Sequence, residues 1–136
     1  MKTLRWIVPY APGGFSDTRA RLIGVKLNEL WKQTVVIENR AGAGGVVGTD
    51  AVAKAAPDGY TFLMALSSIS IFPVSDRING KAPTYEMKEF APVALVTADP
   101  TVLVVRADAP YRNLKEFVDA AKANPGKINY ASSGVY

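Results

Sequence analysis

The chain has 136 residues, 49% of them apolar, which is enough for one ordinary domain core; its net charge of +4 is scattered rather than gathered into a stripe, which argues against a nucleic-acid binder. It has neither Cys nor His, so disulfides, thiolate catalysis, Cys-based metal sites and every Ser-His or Cys-His arrangement are excluded. The start, "MKTLRW", lacks an apolar run of signal-peptide length, and later runs break within about ten residues, so neither a membrane span nor an export signal is expected in the chain as given.

Leu4 to Pro9 is β-branched and aromatic-rich and reads as a strand. After it comes "APGGFSD", where two adjacent glycines meet a helix start. From Thr18 to Lys32, Ala20, Ile23, Leu27, Leu30 and Trp31 recur at helical spacing, with Ser16 or Asp17 as the expected N-cap and Trp31 in the core. Val35 to Glu38 is a second short strand, "NRAGAGGVVG" a glycine-rich loop, and Thr49 to Ala56 a short helix ended by Pro57. "PDGY" is a turn with Asp58 and Gly59 at its tip, feeding a strand from Tyr60 to about Ala65, and Ser67, Ser68 and Ser70 follow. Asp76 to Phe90 reads as surface loop with a turn of helix. Val93 to Thr97 and Val102 to Val105 are further strand candidates. Asn113 to Asn124 is a helix with Leu114, Phe117, Val118 and Ala121 on one face, Phe117 being expected in the core. Ile128 to Ala131 begins another strand before Ser132, Ser133 and Gly134.

Strands alternating with helices across short loops predict an α/β fold with a mostly parallel sheet flanked by helices, whose ligand sites lie at the strands' carboxyl ends. Four loops fall there: "APGGFSD", "NRAGAGG", "SSIS" and "SSGV", all small, hydroxylic or glycine-rich. A glycine pair before a helix lets the backbone approach a ligand and turns unpaired N–H groups toward it, where the helix dipole favours negative charge. On that reading Gly13 and Gly14 form an anion nest; the competing reading is a tight turn that needs positive φ. "GAGGVVG" matches a dinucleotide fingerprint poorly, because Val47 stands at its sixth position and Asp58, the nearest later acid, precedes a strand. The serines lack a histidine to activate them and could equally be helix caps, Asp17 could be a cap, and Asp58 a turn former.

"IVPYAPGGFSDTRARLIGVKL", "VVIENRAGAGGVVGTDAVAKAAPDGYTFLMA", "FAPVALVTADPTVLVVRADAP" and "NPGKINYASSG" together resemble the Bug family, extracytoplasmic solute-binding proteins of the tripartite tricarboxylate transporter (TctC) type. The resemblance implies a two-lobed clamshell of the periplasmic-binding-protein type, type II, that closes on a small organic acid, a di- or tricarboxylate, in the periplasm. It also implies membrane transporter subunits as partners of the intact protein; with no cofactor or metal expected, the scattered charge and the lack of His and Cys predict neither nucleic-acid binding nor catalysis. Ala11, Gly13, Gly14, Phe15 and Asp17 map to the first ligand loop, Ala43 and Gly44 to the second, Ser67 and Ser68 to the third, and Ser132, Ser133 and Gly134 to the second lobe. The stretch "MALSSISIFP" departs from the family's usual Gly-Thr and later histidine, which leaves the choice of ligand open.

Family members run to about twice this length, as two lobes require. The chain is therefore expected to be an N-terminal fragment: residues 1–101 from lobe one, 102–106 a crossover strand and 107–136 the beginning of lobe two. The leader that would direct export is expected to be missing from such a piece. A piece of this kind is expected to self-associate, as a homodimer exchanging residues 102–136. The alternatives are a nucleotide-using α/β enzyme built on "NRAGAGG" and a self-associating fragment that binds nothing.

Overall fold

The sheet of this computed structural model is three-stranded and wholly parallel, in the order β2-β1-β3. The structure describes residues 2–98, 100 and 102–131. Strands β1 (Leu4–Val8), β2 (Val35–Asn39) and β3 (Thr61–Leu63) are joined by helices α1 (Phe15–Trp31) and α2 (Val46–Ala53). In register, Leu4 faces Val35, Val8 faces Asn39 and Trp6 faces Phe62, so all three strands end at the same edge.

Side chains alternate across β1, and each face receives one helix. On one face Val8, Ala20 of α1 and Met64 form the buried cluster, with Trp6, Tyr10 and Ile37 packed around it. On the other, α2 comes so near Pro9 that a Cβ built on Gly48 would lie 2.7 Å from the Pro9 ring and 2.7 Å from the Arg40 carbonyl oxygen. Only glycine fits there.

The period of α1 is the expected one, but the face turned inward is that of Asp17, Ala20 and Gly24. Small residues let the helix lie close to β2, and Leu30 and Trp31 are left exposed, Trp31 by half of its surface. Trp31 is therefore not a core residue. The N-cap also differs: Gly14 occupies that position, with Ser16 and Asp17 already inside the first turn. A turn of 3-10 helix at Ser67–Ser70 runs straight into α3 (Ile71–Ile78), for which the sequence carries no predicted helix before the surface loop and helical turn expected from Asp76 to Phe90. Pro73 hides that helix, since proline in a first turn forfeits no intrahelical hydrogen bond.

The chain divides into two compact units, the first running to Pro92 and the second beginning at Val93. In the second unit α4 (Leu114–Ala123) forms as expected, opened by the Asn113 side chain, which accepts from the Glu116 amide at 3.0 Å. Phe117 is half-buried, its ring edge-on to Tyr111 with centroids 5.2 Å apart. No strand forms at residues 93–97, 102–105 or 128–131. Their apolar composition suits a strand, but a strand is stable only beside another, and these segments pair with none among the described residues.

Candidate functional site

Because β1, β2 and β3 are parallel, the loops that follow them, 9–14, 40–45 and 64–70, gather at one edge of the sheet. The 3-10 turn of the second loop, Ala43–Gly45, lies against that of the third, Ser67–Ser70. The first unit thus brings together every predicted site residue up to Ser68. Ser132, Ser133 and Gly134 lie outside the described residues.

In the first loop Gly13 takes the left-handed conformation, φ 81°, that the turn into α1 needs. Its amide donates to Asp17 Oδ2 at 2.8 Å, and the Gly14 amide reaches the Ala11 carbonyl at 3.4 Å. The two glycine amides are therefore engaged inside the turn, contrary to the expectation that they point unpaired at a ligand. Thr18 is the first residue to bond back into the helix, to the Gly14 carbonyl at 2.9 Å. The amides of Phe15, Ser16 and Asp17 precede that bond and have no partner within the helix, so the dipole's positive end is presented one residue further on. Ala11, Gly13 and Gly14 are exposed and Phe15 is half-exposed, with the Arg19 guanidinium 3.1 Å from its ring centroid.

Asp17 is buried, and it holds the loop from beneath. Besides the Gly13 amide, its carboxylate accepts from Arg21 Nε at 3.0 Å and Asn39 Nδ2 at 3.0 Å. Arg21 Nη2 in turn donates to Asn39 Oδ1 at 2.9 Å, closing a ring, and Asn39 Nδ2 also reaches the Tyr10 carbonyl at 3.1 Å. The Arg21 hydrogen bond, then that from Gly13, lower the Asp17 pKa to about 2, so the carboxylate is charged and fully matched by donors. Arg21 stands four residues along the helix from Asp17, a legible pair; Asn39 becomes a partner only because β2 ends opposite Val8.

The second loop is left-handed throughout its 3-10 turn entry. Ala43 has φ 45° although it carries a Cβ, and Gly44 has φ 64°. Ala43 is exposed and Gly44 half-buried. A non-glycine residue held there stores strain of order 1 kcal/mol, which the surrounding loop sustains. In the third loop Ser67 is exposed and Ser68 half-buried. Tyr10 was not among the predicted site residues, yet its hydroxyl accepts from the Leu66 amide at 3.1 Å and lies 3.4 Å from Ser68 Oγ. Backbone amides, small hydroxyls and a helix start at the carboxyl edge of a parallel sheet suit an anion with several acceptor oxygens.

Residues 19–136 match the family model described as "Tripartite tricarboxylate transporter family receptor". The chain belongs to this family. A UPF0065 protein from a tcbD-tcbE intergenic region of Pseudomonas sp. (strain P51) is 42% identical over 135 residues, covering 98% of this chain and 39% of that protein. Among solved structures, the periplasmic binding protein BugD is 34% identical with a TM-score of 0.68, over 98% of this chain and 44% of that one. The R. palustris protein Rpa4515, solved with adipate, is 29% identical with a TM-score of 0.76, over 97% of this chain and 44% of that one. MatC from Rhodopseudomonas palustris, with bound malate, is 35% identical with a TM-score of 0.69, over 89% and 40%. The chain thus has the α/β periplasmic-binding-protein fold in part, spanning about two-fifths of the length of these relatives.

Proposed function

We propose that the chain is the N-terminal portion of a solute-binding receptor that captures a small organic dicarboxylate or tricarboxylate in the periplasm and presents it to the membrane subunits of a tripartite tricarboxylate-type transporter. The observation that carries this reading is the gathering of three glycine- and serine-bearing loops at one edge of a parallel sheet, beside the first-turn amides of α1, which have no partner within the helix. Solved relatives with the same fold that hold adipate and malate support it.

One ligand carboxylate accepts from the amides of Phe15 and Ser16 at the helix start, where the dipole favours it. Ala43, Gly44, Ser67 and Ser68 contribute amides and hydroxyls from the neighbouring loops. Ser132, Ser133 and Gly134 add a second set in the intact receptor, with residues 1–101 read as lobe one, 102–106 as the crossover and 107–136 as the start of lobe two. Asp17 acts by shaping the first loop, since its oxygens are occupied. The ligand is bound and released unchanged, for the chain offers no histidine or cysteine to move a proton or attack a carbonyl.

Isothermal titration with adipate, malate, succinate, citrate and NAD tests this reading. Binding of at least one carboxylate is expected, with no binding of NAD. Gly14→Val, whose new Cβ meets the Ala11 carbonyl oxygen at 3.3 Å, displaces the turn and lowers the affinity about tenfold, the equivalent of 1.4 kcal/mol. Preference for NAD, or hydrolysis of any of these compounds, would instead favour a nucleotide-using enzyme.

A further inference from the structure

Tyr10, itself in the first loop, reaches both of the other two. Its main chain is fixed, with Pro9 before it and its carbonyl held by Asn39 Nδ2 at 3.1 Å. The ring lies against the second loop, so closely that a Cβ built on Gly45 would fall 3.0 Å from Tyr10 Cε1. The hydroxyl reaches the third loop, where the Leu66 amide donates to it at 3.1 Å and Ser68 Oγ stands 3.4 Å away. A phenol has one proton to give. With Leu66 already donating to the oxygen, that proton is free to turn toward Ser68 Oγ. A serine hydroxyl that accepts there keeps its own proton for another acceptor.

A second tyrosine holds the same turn from its other end. Tyr85, 3% exposed, donates its hydroxyl to the Ile69 carbonyl at 3.0 Å, and its ring sits edge-on to Phe90 with centroids 5.6 Å apart. The 3-10 turn at Ser67–Ser70 is thereby tied at Leu66 and at Ile69 by residues 75 positions apart in the chain. Tyr85 bonds the turn at the Ile69 carbonyl rather than at Ser68 Oγ, which makes it a control for the loss of a tyrosine hydroxyl.

We propose that Tyr10 is a positioning residue of the carboxylate site: its hydroxyl clamps the third loop to the first and orients Ser68 as a hydrogen-bond donor toward the ligand. The proposal rests on the receptor reading given above. It carries a consequence for specificity, because a Ser68 locked as donor favours a carboxylate oxygen over a ligand amide N–H.

Two measurements on wild type, Tyr10→Phe, Ser68→Ala, Tyr85→Phe and the double variants test it. The first needs no ligand: Tyr10→Phe keeps the ring against Gly45, so the fold is retained, while amide hydrogen exchange at Leu66 accelerates about fivefold or more. The second is a double-mutant cycle on adipate and malate affinity. Tyr10→Phe and Ser68→Ala each weaken binding about fivefold, and together they weaken it no further than the larger single loss. Tyr85→Phe with Ser68→Ala is additive. Unchanged Leu66 exchange, or additive losses in the Tyr10 and Ser68 cycle, overturns the role of Tyr10 and leaves the receptor reading standing. Failure of the wild type to bind any carboxylate overturns the receptor reading and the ligand-directed half of this one, while the exchange rate alone still decides the clamp.

Discussion

At the scale of single residues, Asp17 shows how a buried charge becomes structural. Its carboxylate is matched by a backbone amide, a guanidinium and a carboxamide, so its desolvation is offset only as long as it is ionised. The folded pKa of about 2 lies below the ordinary unfolded value near 3.9. Its contribution is therefore complete above about pH 4 and is lost as pH falls toward 2. Asp17→Asn should lower stability at neutral pH and flatten that part of the acid limb. Some slope must remain, because Glu38 beside Arg5 and Asp58 beside Lys2 are also held below their usual values. Urea midpoints from pH 7 to 2 check this, and parallel pH profiles for variant and wild type would contradict it. The left-handed Ala43 and the glycine amides turned inward belong to the same scale: local composition announces a turn there, and only the neighbouring side chains decide which groups face outward.

At the scale of elements, two glycines in helices make opposite predictions. Gly48 of α2 faces backbone: a Cβ would lie 2.7 Å from the Arg40 carbonyl oxygen and 2.8 Å from Pro9 Cα, and neither can yield without moving a strand end. Gly24 of α1 faces the tip of Ile37, whose Cδ1 would be 3.2 Å away and can rotate. Alanine raises helix propensity by about 1 kcal/mol at either place. Overpacking at Gly48 outweighs that gain, so Gly48→Ala is expected to destabilise by about 1–3 kcal/mol. Gly24→Ala should fall within about 1 kcal/mol of wild type. Chemical denaturation of both variants provides the comparison, and equal midpoints would show that α2 can withdraw from β1. The close approach at Gly48 matters for function, since it fixes the start of α2, and with it the second loop, against the end of β1.

At the scale of the whole molecule, apolar surface remains uncovered. Val93 and Leu95 are each 81% exposed and Val104 80%, in segments with strand composition but no strand neighbour among the described residues. Exposed apolar stretches able to pair along their backbones recruit another chain. Self-association at micromolar concentration is the expected outcome, read by sedimentation velocity as an average mass that rises with concentration. Val104→Lys together with Leu95→Lys should reduce it, and a wild type that sediments as a monomer at every concentration would contradict the argument.

The division between sequence and structure follows range of interaction. Helical spacing, β-branched runs and turn residues are local properties, so β1, β2 and β3, the core of α1 and all of α4 could be read from the sequence, as could the three loops at the carboxyl edge of the sheet. The family resemblance likewise lay in those local stretches. What folding alone decided was pairing at a distance: which extended segments found a neighbour, which face of α1 turned inward, and which donors met the Asp17 carboxylate. Tyr10, Asn39 and Tyr85 carry no local signature of a site. Tyr10 and Asn39 acquire their roles because parallel pairing brings residues 10, 39 and 66 to one edge, where a hydrogen bond spanning 56 positions becomes as short as one within a turn.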